Sequence, residues 1–89
     1  MKNYLISYDL HATGRDYSRL IAAIQTYANA RQLLQSLWFV HSAKSSVEIR
    51  DHLLSTIDRN DELIIVEIAR GNSAWCLDEN KSRFLRSAL

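Results

Sequence analysis

Proline is absent from this 89-residue chain, and glycine occurs only at positions 14 and 71. With so few chain breakers there is no stretch that reads as a linker, and neither a low-complexity tract nor an internal repeat is present. The chain therefore reads as a single domain over residues 1–89. The single cysteine, Cys76, excludes an intrachain disulfide and a multi-cysteine zinc site. It fits a reducing, cytoplasmic setting. No apolar run approaches the length of a membrane span. The run that follows Met1 and Lys2 meets Asp9 too soon for a signal peptide, so no membrane association is expected. Charge bias is also lacking, at a formal net charge of +1. Any surface that meets nucleic acid must then be local, or be built by pairing subunits.

The most informative stretch is Asn3-Tyr4-Leu5-Ile6-Ser7-Tyr8-Asp9-Leu10-His11. Tyr4, Ile6 and Tyr8 alternate with Leu5, Ser7 and Asp9, the period of a strand with two distinct faces. Residues 11–14 form its exit loop. Asp16 can cap a helix, and Tyr17, Leu20, Ile21, Ile24 and Ala28 then fall on one stripe, which predicts a helix over 16–28. Asn29 is suited to a left-handed stop. Residues 31–35 could extend that helix or form a strand; the strand reading is preferred because it makes a hairpin with the strand at 37–41. Ser45 and Glu48 have capping-box spacing ahead of an apolar stripe of Ile49, Leu53, Leu54 and Ile57. A turn over 58–61 leads into Leu63-Ile64-Ile65-Val66-Glu67-Ile68-Ala69, which reads as a central, buried strand. Ile64, Val66 and Ile68 are expected to face the helices, opposite Ile24 and Leu53. Ala74-Trp75-Cys76-Leu77 reads as a short last strand. Asp78 can cap a tail helix that docks through Phe84, Leu85 and Ala88.

This order predicts an α+β, ferredoxin-like βαββαβ fold with a short extra C-terminal strand and a tail helix. Two helices would cover one sheet face and the tail part of the other. An apolar sheet face left open calls for a partner, so a homodimer is expected, with Leu5, Ile65 and Trp75 in its interface.

Tyr4 to Leu10, Ser36-Leu37-Trp38, Asp58-Arg59-Asn60-Asp61-Glu62-Leu63 and Ala74-Trp75 together resemble the Cas-two family, the small CRISPR-associated proteins of spacer acquisition. They are more similar to its SinR-like relatives and less so to the VapD toxins. The resemblance spans about residues 3–77. It implies a ferredoxin-like homodimer whose last strand often crosses to the partner's sheet. Some members are metal-dependent nucleases on RNA or DNA that use the aspartate ending the first strand, here Asp9. Others bind DNA as a scaffold and need no catalysis. The chain lacks the basic cluster that the better-known branch carries after the first strand; only Arg15 and Arg19 stand there.

The resulting expectation is a metal-dependent endonuclease, with a non-catalytic scaffold binding nucleic acid or protein, or a VapD-like toxin ribonuclease, as alternatives. Asp9 is the candidate catalytic metal ligand, for Mg²⁺ with Mn²⁺ as substitute: two copies across a dimer axis would supply two carboxylates, and Mg²⁺ is commonly held by one or two carboxylates plus water and phosphate oxygens. Against this stands a turn-capping role. His11, two residues on, is a candidate general base or second ligand, against a solvated loop histidine. Arg15 and Arg19 are candidate phosphate contacts. Ser7 and Ser36 lack the Gly-x-Ser-x-Gly setting of a nucleophile and read as sheet hydroxyls. Glu48 and His52 have i, i+4 spacing that can hold a metal, but a surface pair is the plainer reading. Trp38, Trp75 and Tyr8 could stack on bases, but in a small domain they fit a core or an interface better. Arg31, Arg70 and Arg83 are scattered and read as solvated charges.

Overall fold

The computed structural model describes residues 1–11 and 16–89. Along the chain these form β1 (Lys2–Asp9), α1 (Ser18–Ile24), β2 (Ala28–Leu34), β3 (Leu37–Ser42), α2 (Ser46–Leu54), β4 (Glu62–Ile68) and α3 (Glu79–Ala88). The strands make one antiparallel sheet in the order β2-β3-β1-β4. This is the α+β, ferredoxin-like arrangement of two split βαβ units.

The alternation in β1 holds. Tyr4 and Ile6 are fully buried with Leu20, Ile24, Val40, Ile49 and Leu53 on the face covered by α1 and α2. Each aliphatic side chain buried there contributes about 1.5–3 kcal/mol relative to exposure. The buried Tyr4 hydroxyl donates to the Lys44 carbonyl at 2.7 Å, so no phenol is left unsatisfied. Trp38 belongs to this core, and its indole N–H donates to the Tyr8 hydroxyl at 3.2 Å. On the opposite face, Leu33, Phe39 and Leu85 are buried together, with Leu5, Leu37, Ile68 and Phe84 packed against them. Here α3 docks, as the spacing of Phe84, Leu85 and Ala88 predicts. Asp78 caps it by accepting the Lys81 amide at 2.8 Å. At α2 the capping box is complete, with Ser45 and Glu48 bonding each other's backbone amides.

Several expectations are corrected. The first helix ends at Ile24, not Ala28. The Thr26 hydroxyl donates to the Ala23 carbonyl at 2.6 Å, and Tyr27 N–H reaches back only three residues, to Ile24. That tight turn swings Tyr27 into the core and starts β2 at once. Asp16 does not cap α1; its carboxylate accepts from the Ser18 amide and hydroxyl, two residues on. Those bonds hold its pKa below the usual carboxylate value. Asn29 is left-handed, at φ 54°. It sits in a register shift between Ala28 and Arg31 in the β2–β3 pairing, not at a helix end. The hairpin reading of residues 31–35 holds.

β4 is an edge strand, not a central one, because β1 takes the position between β3 and β4. Its facing is the reverse of the expected one. Leu63 and Ile65 pack against the α1–α2 core, while Ile68 joins the α3 side. Ile64 and Val66 lie on that second face beyond the reach of α3 and are 59% and 43% exposed. Ile65 is thus on the helix-covered face, opposite Ile6, and not on the open face where an interface role would need it. Leu5 does lie on the second face, but it packs into the α3 cluster. The extra strand over 74–77 is not formed. After β4 the chain turns at Gly71, whose φ of 86° suits a residue without a Cβ. It then runs without regular structure to Asp78. Trp75 in this segment is 37% exposed and lines an apolar groove with Leu5, Leu34, Leu37 and Ile68.

Candidate metal site at the end of the first strand

β1 ends on Asp9 because the next residues leave the sheet, and its last pairing partner is Glu62, the first residue of β4. Residues directly opposite in an antiparallel pair share a sheet face, so two carboxylates stand side by side. His11 folds back over them. Its Nε2 lies 3.4 Å from Glu62 Oε1 and 3.6 Å from Asp9 Oδ2. One ligand atom from each of the three residues lies within 4.8 Å of the others. The Asp9 and Glu62 side chains are 75% and 77% exposed, so small rotations can draw the three donors closer. A divalent cation holds such oxygen and nitrogen donors at roughly 2.0–2.2 Å. Ser7, Tyr8, Leu63 and Ile64 continue the surface into a shallow groove beside the carboxylates.

A second layer of bonds holds this corner. The backbone amide of His11 donates to Asp61 Oδ1 at 2.8 Å. The Tyr17 hydroxyl contacts both oxygens of Asp61, at 2.9 and 3.0 Å. The Asp58 amide donates to Asp61 Oδ2 at 2.8 Å.

Asp9 and His11, singled out from the sequence, do come together. The structure adds Glu62, which the sequence reading quotes only within the stretch 58–63 that carries the family resemblance. Among the described residues the close contact of the Asp9 carboxylate is His11. The turn at residues 10–12, which the capping alternative assigns to Asp9, runs into residues outside the described ones. Arg19 is exposed at the start of α1. Arg15 lies outside the described residues.

The other candidates are occupied elsewhere. Glu48 is held in the capping box, and its bonds from Ser45 lower its pKa. His52 Nδ1 is 2.6 Å from the Tyr27 hydroxyl, so the i, i+4 pair does not converge on a metal. Burial, with a lesser effect from the negative charge of Glu48, pushes the Tyr27 phenol above its ordinary value. Arg31 stacks over the Phe84 ring at 5.5 Å. Arg70 donates to the Leu89 carbonyl at 2.6 Å. Arg83 pairs with Glu79 at 3.5 Å. These arginines form no common stripe with the carboxylates.

No protein-family model and no curated protein matches the sequence. Among solved structures, the chain is similar to a hypothetical protein from Thermus thermophilus known from its crystal structure. The two share 18% identity with a TM-score of 0.66, over 85% of this chain and 92% of that one. The likeness is one of fold. None of the described helices is long and apolar enough to cross a membrane.

Proposed function

We propose that the chain is a Cas-two-like, divalent-cation-dependent phosphodiesterase that acts on RNA or DNA as a cytoplasmic homodimer. The observation that carries this reading is the convergence of Asp9, His11 and Glu62 where the two strands begin and end. Two carboxylates suit Mg²⁺ and Mn²⁺. The imidazole tilts the donor set from Mg²⁺ toward Mn²⁺, because nitrogen donors favour transition metals. Bound at these donors, a divalent ion supplies Lewis-acid polarisation of a phosphoryl oxygen and a more acidic water. The chain's own part is to hold that chemistry on a rigid strand end. Asp9 and Glu62 supply negative charge from paired backbones, and His11 presents Nε2 to both. The open groove along Ser7 and Ile64 leaves room for an extended single strand.

The homodimer part rests on exposed apolar surface, Ile64 and Val66 on β4 and Trp75 beside the groove. The cytoplasmic part rests on the exposed free thiol of Cys76. The alternative of a non-catalytic scaffold draws on the high exposure of both carboxylates. A VapD-like toxin ribonuclease would use the same three residues on RNA alone. The test is cleavage of single-stranded RNA and of duplex DNA with Mg²⁺ or Mn²⁺. Metal-dependent cleavage that is lost in Asp9→Asn, with folding intact, is the expected result. Absence of cleavage of either substrate with either metal would hand the reading to the scaffold.

A further inference from the structure

Asp61 is the only charged residue that is buried among the described residues, at 8% exposure. A carboxylate removed from water is costly unless donors replace the lost hydration. Among the described residues, donors to Asp61 come from three separate segments: the His11 amide at the exit of β1, the Tyr17 hydroxyl ahead of α1, and the Asp58 amide in the turn before β4. Both flanks of the segment between β1 and α1 therefore converge on one side chain. That side chain belongs to the residue immediately before Glu62.

We infer that Asp61 is a positioning residue for the candidate metal site, with the Tyr17 hydroxyl as its second member. It fixes the backbone of His11 through a direct hydrogen bond and that of Glu62 through the adjoining peptide. Two of the three candidate ligands are thus held by one carboxylate that is not itself a member of the ligand set. Groups bonded behind a metal's ligands set ligand orientation, and their loss typically lowers metal affinity about 10–100-fold. A helix-to-strand turn needs no such clamp for its own sake; the Asp58–Asp61 backbone turn is already closed by the Asp61 amide bonding the Asp58 carbonyl at 3.2 Å. The inference rests on the metal reading of Asp9, His11 and Glu62.

The experiment compares Mn²⁺ affinity, by calorimetry on the full chain, for wild type, Asp61→Asn and Tyr17→Phe. Hydrogen exchange of the His11 amide and thermal melting without metal are measured alongside. Asp61→Asn places an amide N–H₂ against a backbone N–H, so it breaks the bond to either His11 or Asp58. It should lower Mn²⁺ affinity about 10–100-fold and speed exchange at His11. Tyr17→Phe removes one hydroxyl and should lower affinity several-fold. If Asp61→Asn does not fold, Tyr17→Phe decides. Variants that melt at lower temperature yet bind Mn²⁺ as tightly as wild type when folded would overturn the clamp and leave the metal reading standing. A wild type that takes up no Mn²⁺ would overturn both.

Discussion

Asp9 and Glu62 are 53 positions apart in sequence and directly opposite in the β1–β4 register, with the His11 ring within 3.6 Å of both carboxylates. Two like charges on adjacent strands disfavour each other. An arrangement that keeps both, and places an imidazole between them, is suited to a cation.

The reversed facing of β4 gives a direct stability test. Ile64→Ala and Val66→Ala should each change the stability of dilute protein by less than about 0.5 kcal/mol, as surface substitutions do. Ile6→Ala, on the covered face of β1, should cost about 2–5 kcal/mol. Urea unfolding measures all three. If the proposed homodimer covers the exposed part of β4, Ile64→Ala should become more costly as concentration rises. Light scattering on wild type should then give about twice 10.3 kDa.

The capping box at α2 predicts an acid-side effect. The bonds from Ser45 hold the Glu48 pKa below its unfolded value. Its stabilising contribution is therefore present above the ordinary carboxylate range and is lost as pH falls through the lowered folded value. Ser45→Ala should cost about 1 kcal/mol at neutral pH. The largest part of the Glu48 effect comes from the Ser45 backbone amide, which that variant keeps, so Glu48→Gln is the one that should flatten the acid limb of the stability profile. An acid limb with wild-type slope in Glu48→Gln would contradict the assignment.

Tyr27 predicts the opposite limb. Its folded pKa is raised, chiefly by burial, so the folded state holds the phenol proton more tightly than the unfolded chain does. That contribution is complete below the ordinary tyrosine value of about 10 and is lost as pH rises through the raised one. Tyr27→Phe should fall less steeply than wild type in alkaline denaturation profiles. Parallel alkaline limbs would contradict it.

How much of this was legible in the sequence depended on whether two signals agreed. In β1 the alternation of Tyr4, Ile6 and Tyr8 with Ser7 and Asp9 left one reading of its faces. In β4 every position from Leu63 to Val66 is apolar, and its two charges, Glu62 and Glu67, fall on opposite faces. No parity could be read; the neighbour β1 and the limited reach of α3 decide it. The stripe of α1 was visible, but its early end came from Thr26 bonding its own helix and from Tyr27 packing inward, which periodicity does not encode. Asp9 and His11 were found because they are close in sequence. Glu62 was hidden because only strand register brings it to them, and Asp61 read as a turn residue until its three donors were placed around it.

The most direct test of the account is Mn²⁺ titration of wild type, Asp9→Asn and Glu62→Gln, followed by calorimetry with melting curves recorded alongside. Glu62→Gln keeps the shape of the side chain and removes only its charge. The account predicts saturable binding of one ion per chain by wild type. Each variant should bind at least about 10-fold more weakly, while its metal-free melting temperature stays close to that of wild type. Wild-type affinity in Glu62→Gln would contradict a site built from Asp9, His11 and Glu62.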